Sequence, residues 1–169
     1  MPPPLPDEDF VSRIILDPKD YNHGGMLDLS IGFQFPSDDE CCESANCNRL
    51  LGNDPAKIHA LGYEKQAIQR QKNRNQIYKG YVEAKCVDIK SIRVETYHFT
   101  VFHDPMPENE AHCHIKMNYT IKGKPFRNTA ISRLTKVFSD KPCARCLNEV
   151  CRKHDEELAA IAYGDYGDD

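Results

Sequence analysis

Two stretches of this 169-residue chain carry side chains dense enough for chemistry. The first, HDPMPENEAHCH, gathers His103, Asp104, Glu108, Glu110, His112 and His114. Imidazoles titrate near neutral pH and bind metals through a neutral nitrogen. His112 and His114 are two residues apart on an expected strand and so share a face, which suits a ligand pair or an acid–base pair. The second stretch is Cys143-x2-Cys146-x4-Cys151-x2-His154. Zinc takes four sulfur or nitrogen ligands in a tetrahedron, and ligands two residues apart reach one ion from a tight turn. One unbroken helix from Cys143 to His154 would hold its ends about 16 Å apart, so a zinc site needs a break near Leu147 and Asn148. Cys143, Leu147, Val150, Cys151, His154, Leu158 and Ile161 also lie near one helical stripe, so core thiols are the competing reading. A further group, Cys41-Cys42-x4-Cys47, has too few ligands alone; it would need His112, His114 or the C-terminal cysteines.

The elements that must position these groups follow from periodicity. Tyr97, Phe99, Val101 and His103 share one face of a strand. Ala111, Cys113, Ile115, Met117, Tyr119 and Ile121 form the apolar face of the next, which places Cys113 in the core and the two histidines on the polar side. Pro105 and Pro107 cannot donate to a ladder and stop both strands, giving a hairpin-like pair. Upstream, Phe10–Leu16 reads as a strand containing Arg13, and Tyr21–Gly25 as a turn. Leu27–Phe35 alternates apolar and polar residues and is expected to be a strand. The segment after Pro36, SDDECCESANCNRLLGND, reads as irregular. A helix is expected from Asp54-Pro55 on, since Asp54 or Asn53 can cap and proline fits the first helical position. Ile77–Cys86 reads as a strand and Phe126–Phe138 as a helix.

The sum is a single α+β domain: a mainly antiparallel sheet of four to six strands with two helices and a Cys-rich C-terminal helical segment. The expected divisions are an unstructured lead over 1–9, a core over 10–140, a Cys/His-rich segment over 141–163 and an acidic tail over 164–169. Net charge is −4, but residues 1–50 hold 3 Lys/Arg against 10 Asp/Glu, and residues 51–150 hold 17 against 10. An acidic first third beside a basic middle suits a protein partner and disfavours a dedicated nucleic-acid binder. No apolar run approaches the roughly 20 residues of a membrane helix. The start, MPPPLPDEDF, lacks the basic and apolar regions of a secretory signal. A cytoplasmic location is therefore expected, where thiols stay reduced and cysteines point to metal or core before disulfides.

Arg13, Glu43-Ser44-x-Asn46-x-Arg49, Leu61-Gly62, Tyr78-Lys79-Gly80, His103-Asp104-Pro105 and His112-x-x-Ile115 occur in an order and spacing that resembles a group of small uncharacterised bacterial proteins. The resemblance spans roughly residues 10–138. It implies a common fold unit and no particular activity. Cys41, Cys42, Cys47 and the segment after Pro142 depart from the pattern. Arg13, Glu43, Ser44, His103 and His112 are of types that could line one pocket for a nucleotide-like or other anionic substrate. No phosphate-binding glycine loop or GxSxG elbow accompanies them. Two classes stay open: a zinc-binding accessory protein acting through a protein partner, with Cys143, Cys146, Cys151 and His154 as ligands, and an enzyme using the polar pocket.

Overall fold

A computed structural model describes residues 2–33, 35, 41–140, 142 and 143. Its centre is a six-stranded antiparallel sheet with helices on both faces. In chain order the strands are β1 (Phe10–Asp17), β2 (Cys41–Cys47), β3 (Ile77–Lys85), β4 (Arg93–Val94), β5 (Tyr97–His103) and β6 (His112–Tyr119). The helices are α1 (Leu29–Gly32), α2 (Pro55–Gln71), α3 (Cys86–Lys90) and α4 (Lys124–Val137). The strand order is β3-β1-β2-β6-β5-β4. The α+β expectation holds, with four helices among the described residues where two and a C-terminal helical segment were expected.

The sheet separates two apolar groups. Val11, Ile15, Ala45, Val82, Phe99, Cys113, Ile115 and Met117 pack under Leu29 and Phe33 near α1, Ile89 of α3, and Ala130 and Leu134 of α4. On the other face a smaller group of Ile14, Leu16, Tyr78 and Tyr81 meets Ile58 of α2. Strand β3 serves both groups by alternation, with Val82 and Ala84 on one face and Tyr81 on the other. A bulge brings Tyr78 onto the face of Tyr81. Ile15 pairs with Gly80 and Leu16 with Tyr78, so Lys79 is skipped and the side-chain alternation resets. Gly80 supports this with φ of 115°, which only glycine adopts without strain.

Helix α2 begins as its sequence dictates: the Asp54 carboxylate accepts from Ala56 N at 3.0 Å, and Pro55 takes the first turn. Gly62 has a packing reason, since the Tyr78 ring lies where a side chain would be; an added Cβ would meet Tyr78 Cζ at 2.2 Å.

Three expectations are corrected. The described part of Leu27–Phe35 is no strand; its middle forms α1, started by Asp28, which accepts from Ser30 N at 3.0 Å. Capping and the need to cover Arg13 override the alternating pattern, and Arg13 Nη2 donates to Gly32 O at 2.6 Å. The segment holding Cys41–Cys47 is an inner strand, paired with β1 on one side and β6 on the other. The lead is also held in place: Leu5 is buried, Leu5 N donates to Val101 O at 2.9 Å, and His103 N donates to Pro3 O at 3.2 Å. It thereby covers an otherwise open edge of β5. The β3 edge is covered similarly, by Ser139 N on Glu83 O at 3.1 Å and Cys143 N on Tyr81 O at 2.8 Å.

Candidate metal centre

Pairing of β5 with β6 sets His103 opposite Cys113, so Asp104 is the first residue beyond the ladder and returns to it, with Asp104 N donating to His112 O at 3.1 Å. Period-two alternation puts His112 and His114 on one face of β6, and their ring centroids are 4.7 Å apart. Asp104 completes the group. One ligand atom from each of Asp104, His112 and His114 lies within 4.8 Å of the other two.

His112 is buried, and its Nδ1 is 2.7 Å from Asp104 O. A carbonyl only accepts, so Nδ1 carries the proton and Nε2 holds the lone pair in the neutral ring. Holding one ring nitrogen on a carbonyl is the usual way to orient a metal-binding imidazole. His114 Nδ1 stands 3.0 Å from Asp104 Oδ2. Two ligands each about 2.1 Å from one ion fall about 3.0–3.4 Å apart, so this pair is already at coordination distance. Burial lowers the His114 pKa below its ordinary value; the adjacent His112 ring acts in the same sense, and Asp104 opposes them. A neutral imidazole is the form a metal needs. The Phe102 ring, 5.6 Å from His114, forms part of the apolar surround.

The expected pocket of Arg13, Glu43, Ser44, His103 and His112 is not assembled as a unit. Ser12 pairs with Asn46 and Asn46 with His112, so these three side chains share a sheet face. Arg13, the next residue after Ser12, points to the other face. There it forms an ion pair with Asp20 at 3.5 Å and lies 5.3 Å from the centre of the Phe33 ring. Arg13 is a core organiser, and its Nη1 also donates to Ser44 O at 3.4 Å. Glu43 pairs in register with Ile115. His103 takes its strand's other parity, and its Nε2 lies 2.8 Å from Glu110 O. Ser44 and His112 do come together, both lining a cleft of about 170 Å³ between α2, β2 and the 104–111 loop.

Of the C-terminal ligand set, only Cys143 falls within the described residues. It is half-buried and packs against the Tyr78 and Tyr81 group; Cys146, Cys151 and His154 lie outside. Cys47 and Cys113 are wholly buried, and the Cys47 thiol is 3.8 Å from Asp9 Oδ2. Cys47 therefore takes the core face, away from the histidines.

The site's signal in the sequence was the His-x-His pair together with an aspartate at the facing strand's end. His114 and Asp104 belonged to the dense titratable set, but only the strand register brings both onto His112. The fold and this group define an α+β protein with a two-histidine, one-carboxylate candidate metal centre. Scans of family models, curated proteins and solved structures each return no match to the chain.

Proposed function

We propose that the protein binds a divalent transition metal, zinc first among candidates, through Asp104, His112 and His114, and acts on a ligand in the adjoining cleft. The observation that carries this reading is the mutual approach of three ligand atoms within 4.8 Å. Three protein ligands on one side of an ion leave coordination positions for water or a ligand, unlike the four-ligand closed sites that only support a fold. A metal held this way polarises a carbonyl or makes bound water more acidic. The chain's own contribution is to fix His112 through the Asp104 carbonyl, to keep His114 neutral, and to shield one side with Phe102. This supports the enzyme alternative over the zinc-stabilised accessory role expected from the C-terminal cysteines. It also moves the candidate chemistry away from Arg13.

Metal content separates the two sites. Full-length protein refolded with zinc and dialysed should retain an equivalent that is lost in Asp104→Asn and His114→Ala and kept in Cys146→Ser, as read by elemental analysis. Retention by His114→Ala with loss in Cys146→Ser would assign the metal to the C-terminal segment instead.

A further inference from the structure

Between Glu64 and Glu83 the chain has no carboxylate side chain, and the same stretch carries Lys65, Arg70, Lys72, Arg74 and Lys79. The fold gathers much of this charge at one place. The later part of α2 is tied to the start of β3, where Tyr78 N donates to Gln66 Oε1 at 2.6 Å. The last turn of α2 holds Arg70. The chain then turns at Asn73, whose φ is 55°, and Arg74 N donates to Gln69 O at 2.9 Å. Asp17 pairs with Ile77, so Lys19, two residues past Asp17, lies at the end of the sheet that Arg74 and Asn75 lead into. Lys19, Arg70, Lys72 and Arg74 are exposed, and no carboxylate pairs with them among the described residues. Asp17 is itself engaged by Lys79, at 3.8 Å. The dipole of α2 favours a cation in its last turn, which accounts for Arg70 and not for Lys19 or Arg74. The net charge of −4 is an average over the chain, whereas an approaching ion meets the charge within a Debye length, about 8 Å at physiological salt.

The other side chains of this surface restrict which polyanion fits it. An acidic protein partner needs apolar anchors, because protein interfaces are built on buried aromatic and aliphatic side chains and are depleted in lysine. Over residues 69–79 no large hydrophobic side chain is exposed, and Gln71, Asn73 and Asn75 stand exposed between the cations. Basic and amide side chains are the groups that contact phosphate and sugar oxygens. Single strands are held largely by bases stacking on aromatic rings, and the aromatic residues of this stretch, Tyr78 and Tyr81, are buried. A duplex offers its phosphates without unstacked bases. We propose that Lys19, Arg70, Lys72 and Arg74 bind the phosphate backbone of duplex nucleic acid without reading its base sequence. This surface does not rest on the metal centre.

The test is fluorescence anisotropy of the full chain with short labelled duplexes of mixed-sequence DNA and RNA, starting from low salt. Single strands of the same sequences and polyglutamate are the comparisons. Contacts from four cations predict a slope of about 3–4 for log Kd against log salt. Replacing Arg70, Lys72 and Arg74 together by Gln should weaken duplex binding about tenfold or more at low salt and lower the slope by about 2–3. These side chains are exposed, so the variant should melt as the parent does, which circular dichroism checks. Replacing Lys122, Lys124 and Lys136 by Gln changes net charge by the same amount elsewhere and should leave duplex affinity unchanged. Equal losses in the two triple variants would show a net-charge effect and overturn the proposal. So would tighter binding of polyglutamate or of single strands, or no duplex binding at low salt. Asp104→Asn, which removes a proposed metal ligand, should bind duplex as the parent does. Zinc uptake without duplex binding leaves the metal reading standing and sinks this one; duplex binding in protein that takes up no zinc does the reverse.

Discussion

The two faces of the sheet differ in where their polar groups lie. Under α1, α3 and α4 the few polar side chains face one another: Asp20 receives Leu16 N at 2.8 Å and lies beside Arg13, whose Nη2 also donates to Gly32 O. Burial pushes the Cys86 thiol there up to about 12. Under α2 the sheet is sealed at one end, by Tyr78 against Gly62, and open at the other, where Asn46 and His112 line the cleft. Polar residues consumed by their neighbours hold a fold together; polar residues that line a concavity are available to a ligand.

Replacing Arg13 attacks the consumed side and should have the largest effect. Arg13→Met leaves Asp20 buried without its cation, and breaking a buried pair from one side costs about 3–5 kcal/mol. That is a large share of the roughly 5–15 kcal/mol that holds a domain folded. Chemical denaturation should show the loss, and adding Asp20→Asn should recover part of it. A single variant as stable as the parent would mean that the two faces do not differ in this way.

Gly62→Ala comes next and sharpens the division within α2. The new methyl would overlap the Tyr78 ring, and overpacking of this kind costs about 1–3 kcal/mol. Lys65→Ala, one turn further along the same helix at the cleft wall, should shift the denaturation midpoint far less. Equal losses at both positions would show that α2 is packed uniformly and that the cleft is not a gap in its contact with the sheet.

The same contrast explains what could be read from the sequence. Elements whose polarity follows solvent exposure were legible: α2 from its cap and proline, β5 and β6 from alternation, the core position of Cys113 from parity. Elements whose polarity serves something else were not. Strand β2 reads as irregular because Ser44 and Asn46 are polar on an inner strand, where they floor the cleft. Arg13 reads as a pocket residue because a charge in an apolar strand suggests function, yet its partners come from the turn and α1 that close over it. Asp104 and His114 needed register: nothing in residue spacing alone states that the first loop residue after β5 returns to the start of β6. Local capping won over alternation in α1 for the reason that Asp28 is followed by a serine whose N–H and hydroxyl both reach it, at 3.0 and 2.5 Å.

The smallest expected effect lies on the open face and concerns acid. The pKa of His114 is lowered in the folded protein, chiefly by burial, so near pH 6 the unfolded chain binds more protons at this position than the folded one. Stability therefore rises with pH through that range. The His114 contribution is fully present above the ordinary histidine value of about 6.5 and is lost progressively as the pH falls below it. His114→Gln removes the titration while keeping a polar side chain. In chelator-treated protein, where no metal competes for the ring, the urea midpoint of the parent should fall further between pH 7.5 and pH 5.5 than that of the variant. Asp104, 3.0 Å away, works against this trend by favouring the imidazolium. Asp104→Asn should therefore steepen the loss. If instead the parent gained stability on acidification and Asp104→Asn abolished the gain, His114 and Asp104 would be an ion pair belonging to the consumed class of polar groups, and the open face would hold one candidate ligand fewer.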